Sequence, residues 1–152
     1  MAEKEAVIQR LWRQLPQIGA FAFSASNGAG SATDWSGSGE GEVVVTDHQG
    51  GWLFVETGRY TTPHGRVLTM HNRFWWQRGE QGIRLSHLRY EQPVVLFELL
   101  PQTDGRWLTA EPHLCGQDHY SAELMPSEGG FLLGWQITGP RKNERLSYRY
   151  LA

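Results

Sequence analysis

RVLTMHNRFWW, residues 66–76, places Val67, Thr69, His71, Arg73 and Trp75 on one side of an extended strand. Leu68, Met70, Asn72, Phe74 and Trp76 fall on the other. Both sides are mixed. A strand in a solid sandwich alternates cleanly between apolar and polar, whereas a strand with an outer face and a lined inner face need not. The stretch therefore points to a closed barrel around a partly polar cavity.

The rest of the chain agrees. After Gly19 a period of two persists through about ten short strands, among them GWLFVETGRY, GIRLSHLRY, PVVLFELL and GFLLGWQIT. About nine turns join them, each with Gly, Pro, Asp or Asn. No helical segment is long enough to connect parallel strands, so the sheet is read as an antiparallel meander. Closure would remove both of its edges. NGAGSAT, TTPHG, YEQP, HLCGQ and GPRKN then share one end of the barrel.

Ahead of the strands, Ala6, Val7, Leu11, Trp12 and Leu15 recur at helical spacing. Glu3 and Glu5 suit the positive end of the helix dipole, and Pro16 marks the stop. A helix this short is marginal alone and should cover something. The organisation expected is one domain over residues 1–152: a helix over 1–16 and a barrel over 18–151.

Composition narrows the function classes. The formal charge of -2 gives no sign of a nucleic-acid partner. No stretch is long and apolar enough for a helical membrane span, and the charged first residues do not read as a signal peptide. One cysteine cannot form an internal disulfide, so a soluble cytoplasmic protein is expected. Seven Trp, five Tyr and six Phe are a heavy aromatic load for 152 residues. Trp52, Phe54, Phe74, Trp75, Trp76, Trp107 and Trp135 are the supply from which a pocket could be lined.

HLCGQDHY and GPRK hold the densest chemistry. His113, Cys115, Asp118 and Tyr120 form H-x-C-x-x-D-x-Y, and Gly139 to Lys142 form G-P-R-K. The pair resembles a domain family of unknown function assigned to the calycin superfamily, the lipocalin and fatty-acid-binding-protein barrels. The resemblance implies an all-β, calycin-like up-and-down barrel of about ten strands. Trp35, Gly37, Gly39 and Gly41 form W-x-G-x-G-x-G, similar to the early motif of the nitrobindin haem barrels. Those hold iron with a histidine near the chain end. Here no histidine follows His119, so neither haem nor another cofactor is expected. The glycines have a structural use, letting a long strand bend.

Three functions are open. The favoured one is non-covalent binding of a small, apolar or amphipathic ligand, with an anionic group as an option. Arg73, Trp75, His87, Arg89, His113, Tyr120, Arg141, Arg145 and Arg149 are its candidate contacts. Inward-facing Arg73, His87 and Arg89 would make the cavity positive. The second is an enzyme using His113, Cys115 and Asp118 with Arg141, in which an imidazole would activate the thiol. H-x-C-x-x-D is not a metal spacing, so no metal is expected. The third is a homodimer formed through exposed Trp12 and Trp35. The plain reading of the motif pair is a latch: Asp118 against Arg141, with Lys142 nearby, tying two facing turns.

Overall fold

In the computed structural model the description covers residues 2–27, 36–109, 113–115 and 117–152, with the backbone alone for residues 2 and 113–115. Helix α1 (Ala2–Gln14) runs into a 3-10 turn at Leu15–Gln17 that contains Pro16. The strands are β1 (Ala20–Asn27), β2 (Gly37–His48), β3 (Gly51–Thr61), β4 (Val67–Arg78), β5 (Ile83–Arg89) and β6 (Gln92–Pro101). They continue as β7 (Trp107–Thr109), β8 (His113–Cys115), β9 (Asp118–Ser127), β10 (Gly130–Thr138) and β11 (Asn143–Leu151).

Consecutive strands other than β7 and β8 pair antiparallel, β7 pairs with β9, and β1 returns to β11 from Ala20↔Leu151 to Asn27↔Glu144. β10 pairs with both β9 and β11, which completes a closed ten-strand barrel. β8 is an extra three-residue strand that pairs with the start of β9 beyond the point where β7 leaves it. HLC is thus strand rather than turn, and the chain reverses only between Cys115 and Asp118.

Turn chemistry sets the register at several hairpins. TTPHGR and QTDGR are built alike: Thr62 N–H donates to Arg66 O and Gln102 N–H to Arg106 O, both at 2.8 Å. Each has a left-handed glycine, Gly65 (φ 82) or Gly105 (φ 92), as such loops require. On β2 the backbone passes close to β3 at Gly41, where a Cβ would stand 2.1 Å from the Thr57 carbonyl oxygen. A side chain at this position has no room. Trp35 lies outside the described residues.

The interior is densest at the helix end. Ile8, Leu11 and Leu15 are buried, and Trp12 packs on Trp52 with ring centroids 6.2 Å apart. The helix face is therefore centred on Ile8, while Ala6 is exposed. Trp12 is drawn onto the barrel and is only partly exposed, rather than exposed as expected. Arg78 donates to Gln9 and Glu5 of the helix, and Gln14 Nε2 donates to Gly130 O at 3.2 Å. The helix plugs this end of the barrel, over Phe54, Trp76, Leu99, Trp107, Leu124 and Phe131 of the same core. Among the described residues no helix is long and apolar enough to cross a membrane.

Leu15 is fully buried and Leu132 is 41% exposed, so the plug can be tested by contrast. Leu15→Ala is expected to cost about 2–5 kcal/mol in urea unfolding, and Leu132→Ala under about 0.5 kcal/mol. Equal, small losses would mean that the helix does not seal the core.

Candidate functional site

Strand parity decides what the interior contains. On β3, Trp52, Phe54, Glu56 and Tyr60 share the inner face, and on β4 Met70, Asn72, Phe74 and Trp76 do. Glu56 is 1% exposed, the most buried acid described. Tyr150 Oη, from β11 across the barrel, donates to Glu56 Oε2 at 2.6 Å. Glu56 Oε1 is buried and accepts no hydrogen bond. Burial pushes the carboxyl up to about 8, against the Tyr150 hydrogen bond and the Asn72 amide, which favour the charged form. Asn72 stands directly opposite Glu56 in register without completing a bond to Oε1.

Towards the end of the barrel with the Thr62–Arg66 turn, the packing opens. A cavity of about 300 Å³ is lined by Phe23, Ala25, Tyr60, Met70, Asn72, Glu144, Leu146 and Tyr148, with Leu68 and Thr69 at its side. Phe23 lies against both Tyr60 (5.7 Å) and Tyr148 (5.2 Å). Tyr148 is stacked on Tyr150 at 4° and on Trp135 at 20°. Burial raises the Tyr148 hydroxyl far above its ordinary range, with the nearby Glu56 adding to it, so it stays a neutral donor. Glu144 is 6% exposed and, among the described residues, is the charged side chain of the lining. A larger depression of about 720 Å³ crosses the outer wall over Ser24, Ser26, Ser121 and Ser147. It is open and flanked mainly by small polar groups, so the interior is the better-built site.

Several expected contacts are elsewhere. Arg73 is on the outer face of β4, paired with Glu91 at 2.7 Å. Trp75 is also outward, in a separate cluster with Leu53 and Leu88, and donates to His48 O at 3.0 Å. Arg145 and Arg149 alternate with buried Glu144, Tyr148 and Tyr150, and are exposed. The physical reason is the same for all four: their inward neighbours are the residues that the core or its polar layer needs. His87 does face in, 5.2 Å from the Phe74 ring. Burial, then the charge of Arg89, lowers its pKa, so it tends to neutrality. Arg89 is exposed and reaches His87 Nδ1 at 3.4 Å. Among the described residues, the lining of this cavity has an acid and no basic side chain, and neither His87 nor Arg89 borders it.

At the motif end, Tyr120 is half-buried against the core. Asp118 Oδ2 is 3.4 Å from Lys142 Nζ, while Arg141 is exposed. The latch uses the lysine rather than the expected Arg141. Asp118 Oδ1 also fills the space where a Cβ on Gly139 would stand, at 2.1 Å. The side chains of His113 and Cys115 lie outside the described residues. Among the described residues no three His, Cys, Asp or Glu groups could hold a metal together.

Glu56 was not among the sequence candidates. Its signal was legible in GWLFVETGRY, where one acid interrupts the face of Trp52, Phe54 and Tyr60. A buried polar group of this kind either has partners or has a use.

A family model matches residues 22–152, that of a family of unknown function, DUF6314. No curated protein and no solved structure gives a match.

The folded chain keeps the Glu56 proton up to about pH 8, against an ordinary value of 4.5. Between these values the unfolded chain has released the proton and the folded chain has not. Stability attributable to Glu56 therefore falls as pH rises through that window, by up to about 1.4 kcal/mol per pH unit. Urea midpoints of the parent chain and Glu56→Gln, compared from about pH 5 to about pH 8, should diverge in the variant's favour. Parallel curves would mean that Glu56 ionises normally.

Proposed function

The chain belongs to the DUF6314 family of unknown function, and we propose that it is a calycin-like barrel that binds a small, largely apolar ligand in its interior. The observation that supports this most is the cavity of about 300 Å³, at the small end of ligand pockets, above a plugged core. Its walls combine apolar surface from Phe23, Ala25, Leu68, Met70 and Leu146 with a few convergent polar groups from Tyr60, Asn72, Glu144 and Tyr148. An apolar body would be desolvated against the first set, and hydrogen bonds to the second would orient it. Among the described residues the lining gives no basic partner for an anionic ligand, so the acid option is dropped from the proposal.

A second reading rests on Glu56. A carboxyl held near neutrality by burial is the usual starting point for acid–base chemistry on a bound molecule. It would make Glu56, rather than Cys115, the group to vary first in an activity screen.

Straight-chain alcohols, titrated while tyrosine and tryptophan fluorescence is followed, test the binding reading. Binding should be saturable, and Ala25→Phe, which fills the cavity, should weaken it at least about tenfold with an unchanged circular dichroism spectrum. Equal affinity in the variant would place any binding outside the cavity.

A further inference from the structure

We propose that the free edge of β4 beside the cavity takes an extended peptide as an added antiparallel strand, with an apolar side chain of that peptide seated in the cavity. The proposal rests on the interior cavity being the binding site and adds the kind of partner that fills it.

Strand lengths leave the edge open. β4 pairs with β3 from Thr61↔Val67 to Trp52↔Trp76, but with β5 only from Phe74↔His87 to Arg78↔Ile83. β5 stops at Arg89, where Tyr90 (φ 50) and Glu91 (φ 65) turn the chain at once into β6 in the left-handed conformation of a tight hairpin. The tip is pinned beside Arg73, whose Nη1 donates to Glu91 Oε1 at 2.7 Å. Val67 to Asn72 overhang the hairpin, and among the described residues no strand pairs with them on that side.

The ladder fixes which main-chain groups face outward. Thr62 N–H donates to Arg66 O, so this pair is hydrogen-bonded and the pairs after it alternate between open and bonded. Val67, Thr69 and His71 fall at open positions, so their N–H and C=O groups point away from β3. All three are exposed, and the stretch carries no Lys, Pro or acid of the kind that protects a bare edge. Val67 is instead 58% exposed and Leu68 38%.

The same stretch borders the cavity through Leu68, Thr69, Met70 and Asn72. In an added antiparallel strand, the residues opposite Val67, Thr69 and His71 exchange hydrogen bonds with them and point outward. Those opposite Leu68, Met70 and Asn72 point to the cavity side. Main-chain bonds thus hold the peptide while the cavity chooses among its side chains. Walls from Ala25, Met70 and Leu146 suit an aliphatic one. Arg66 and Arg89 flank the edge, exposed and, among the described residues, without a carboxylate partner, so acidic outward residues fit there. A second copy of this edge fits less well, because its own Leu68 and Met70 already line a cavity.

The probe is an acetylated peptide that alternates leucine with threonine and glutamate, and hexanol reports on the cavity alone. Calorimetric titration should show saturable binding of both. N-methylation of the threonine and glutamate amides should weaken the peptide at least about tenfold, whereas N-methylation of the leucine amides should not. Thr69→Pro removes an outward N–H and leaves the β3 ladder intact, so it should weaken the peptide by a similar factor with hexanol unchanged. If that variant does not fold, the methylated peptides give the same reading on the parent chain. Peptide binding that ignores the methylation pattern would overturn strand addition. Hexanol binding without peptide binding would overturn the proposal and leave the cavity as a site, and binding of neither would overturn the cavity reading itself. Self-association in sedimentation that Thr69→Pro abolishes would give the edge to a second copy and also overturn the proposal.

Discussion

Everything in this molecule follows from the pairing of β1 with β11. Eight consecutive residue pairs, Ala20↔Leu151 to Asn27↔Glu144, join the two ends of the meander. Once the sheet is closed, alternate side chains of every strand must share one interior, and each strand has only two ways to present itself. Phe21 and Tyr148 settle the choice for the two seam strands, both being buried in the common core. Arg145 and Arg149 are then committed to solvent by the same step. No local preference of an arginine could reverse that without turning three buried residues out.

The interior so created is filled unevenly. At the helix end, α1 supplies Ile8 and Leu11, and the 3-10 turn after it Leu15, to a set of aromatic rings, and the packing is apolar. Halfway along, Glu56, Asn72 and Tyr150 form a polar layer. Beyond it the walls draw apart. Burying an acid is costly, and keeping its proton is the cheaper solution, which is why the carboxyl is displaced to about 8. The Tyr150 hydrogen bond offsets part of the remaining cost and ties β3 to β11 across the barrel.

The architecture was legible because turns and period two are local signals, repeated many times. The mixed look of RVLTMHNRFWW did mark a barrel strand, yet for a reason other than a polar inner wall. Its inner side is apolar apart from Asn72, and its outer side is mixed because Trp75 is covered by Leu53 and Leu88. Which side faced inward was not legible, since a tryptophan or histidine suits either. Glu56 shows the complementary failure: attention to reactive residue types led to Cys115 and the arginines, while the informative residue was an ordinary glutamate on an apolar face. The Asp118 latch was correct in position and wrong in partner, because Arg141 and Lys142 are adjacent and only the turn geometry separates them.

The claim on which the rest depends is that the barrel encloses a neutral carboxylic acid between its packed core and its cavity. Infrared difference spectroscopy of the parent chain against Glu56→Gln at neutral pH reads this directly. The account expects a protonated carboxyl C=O band, in the parent only, that fades as pH rises through about 8. A difference spectrum with carboxylate bands alone would show an ionised Glu56 and would contradict it.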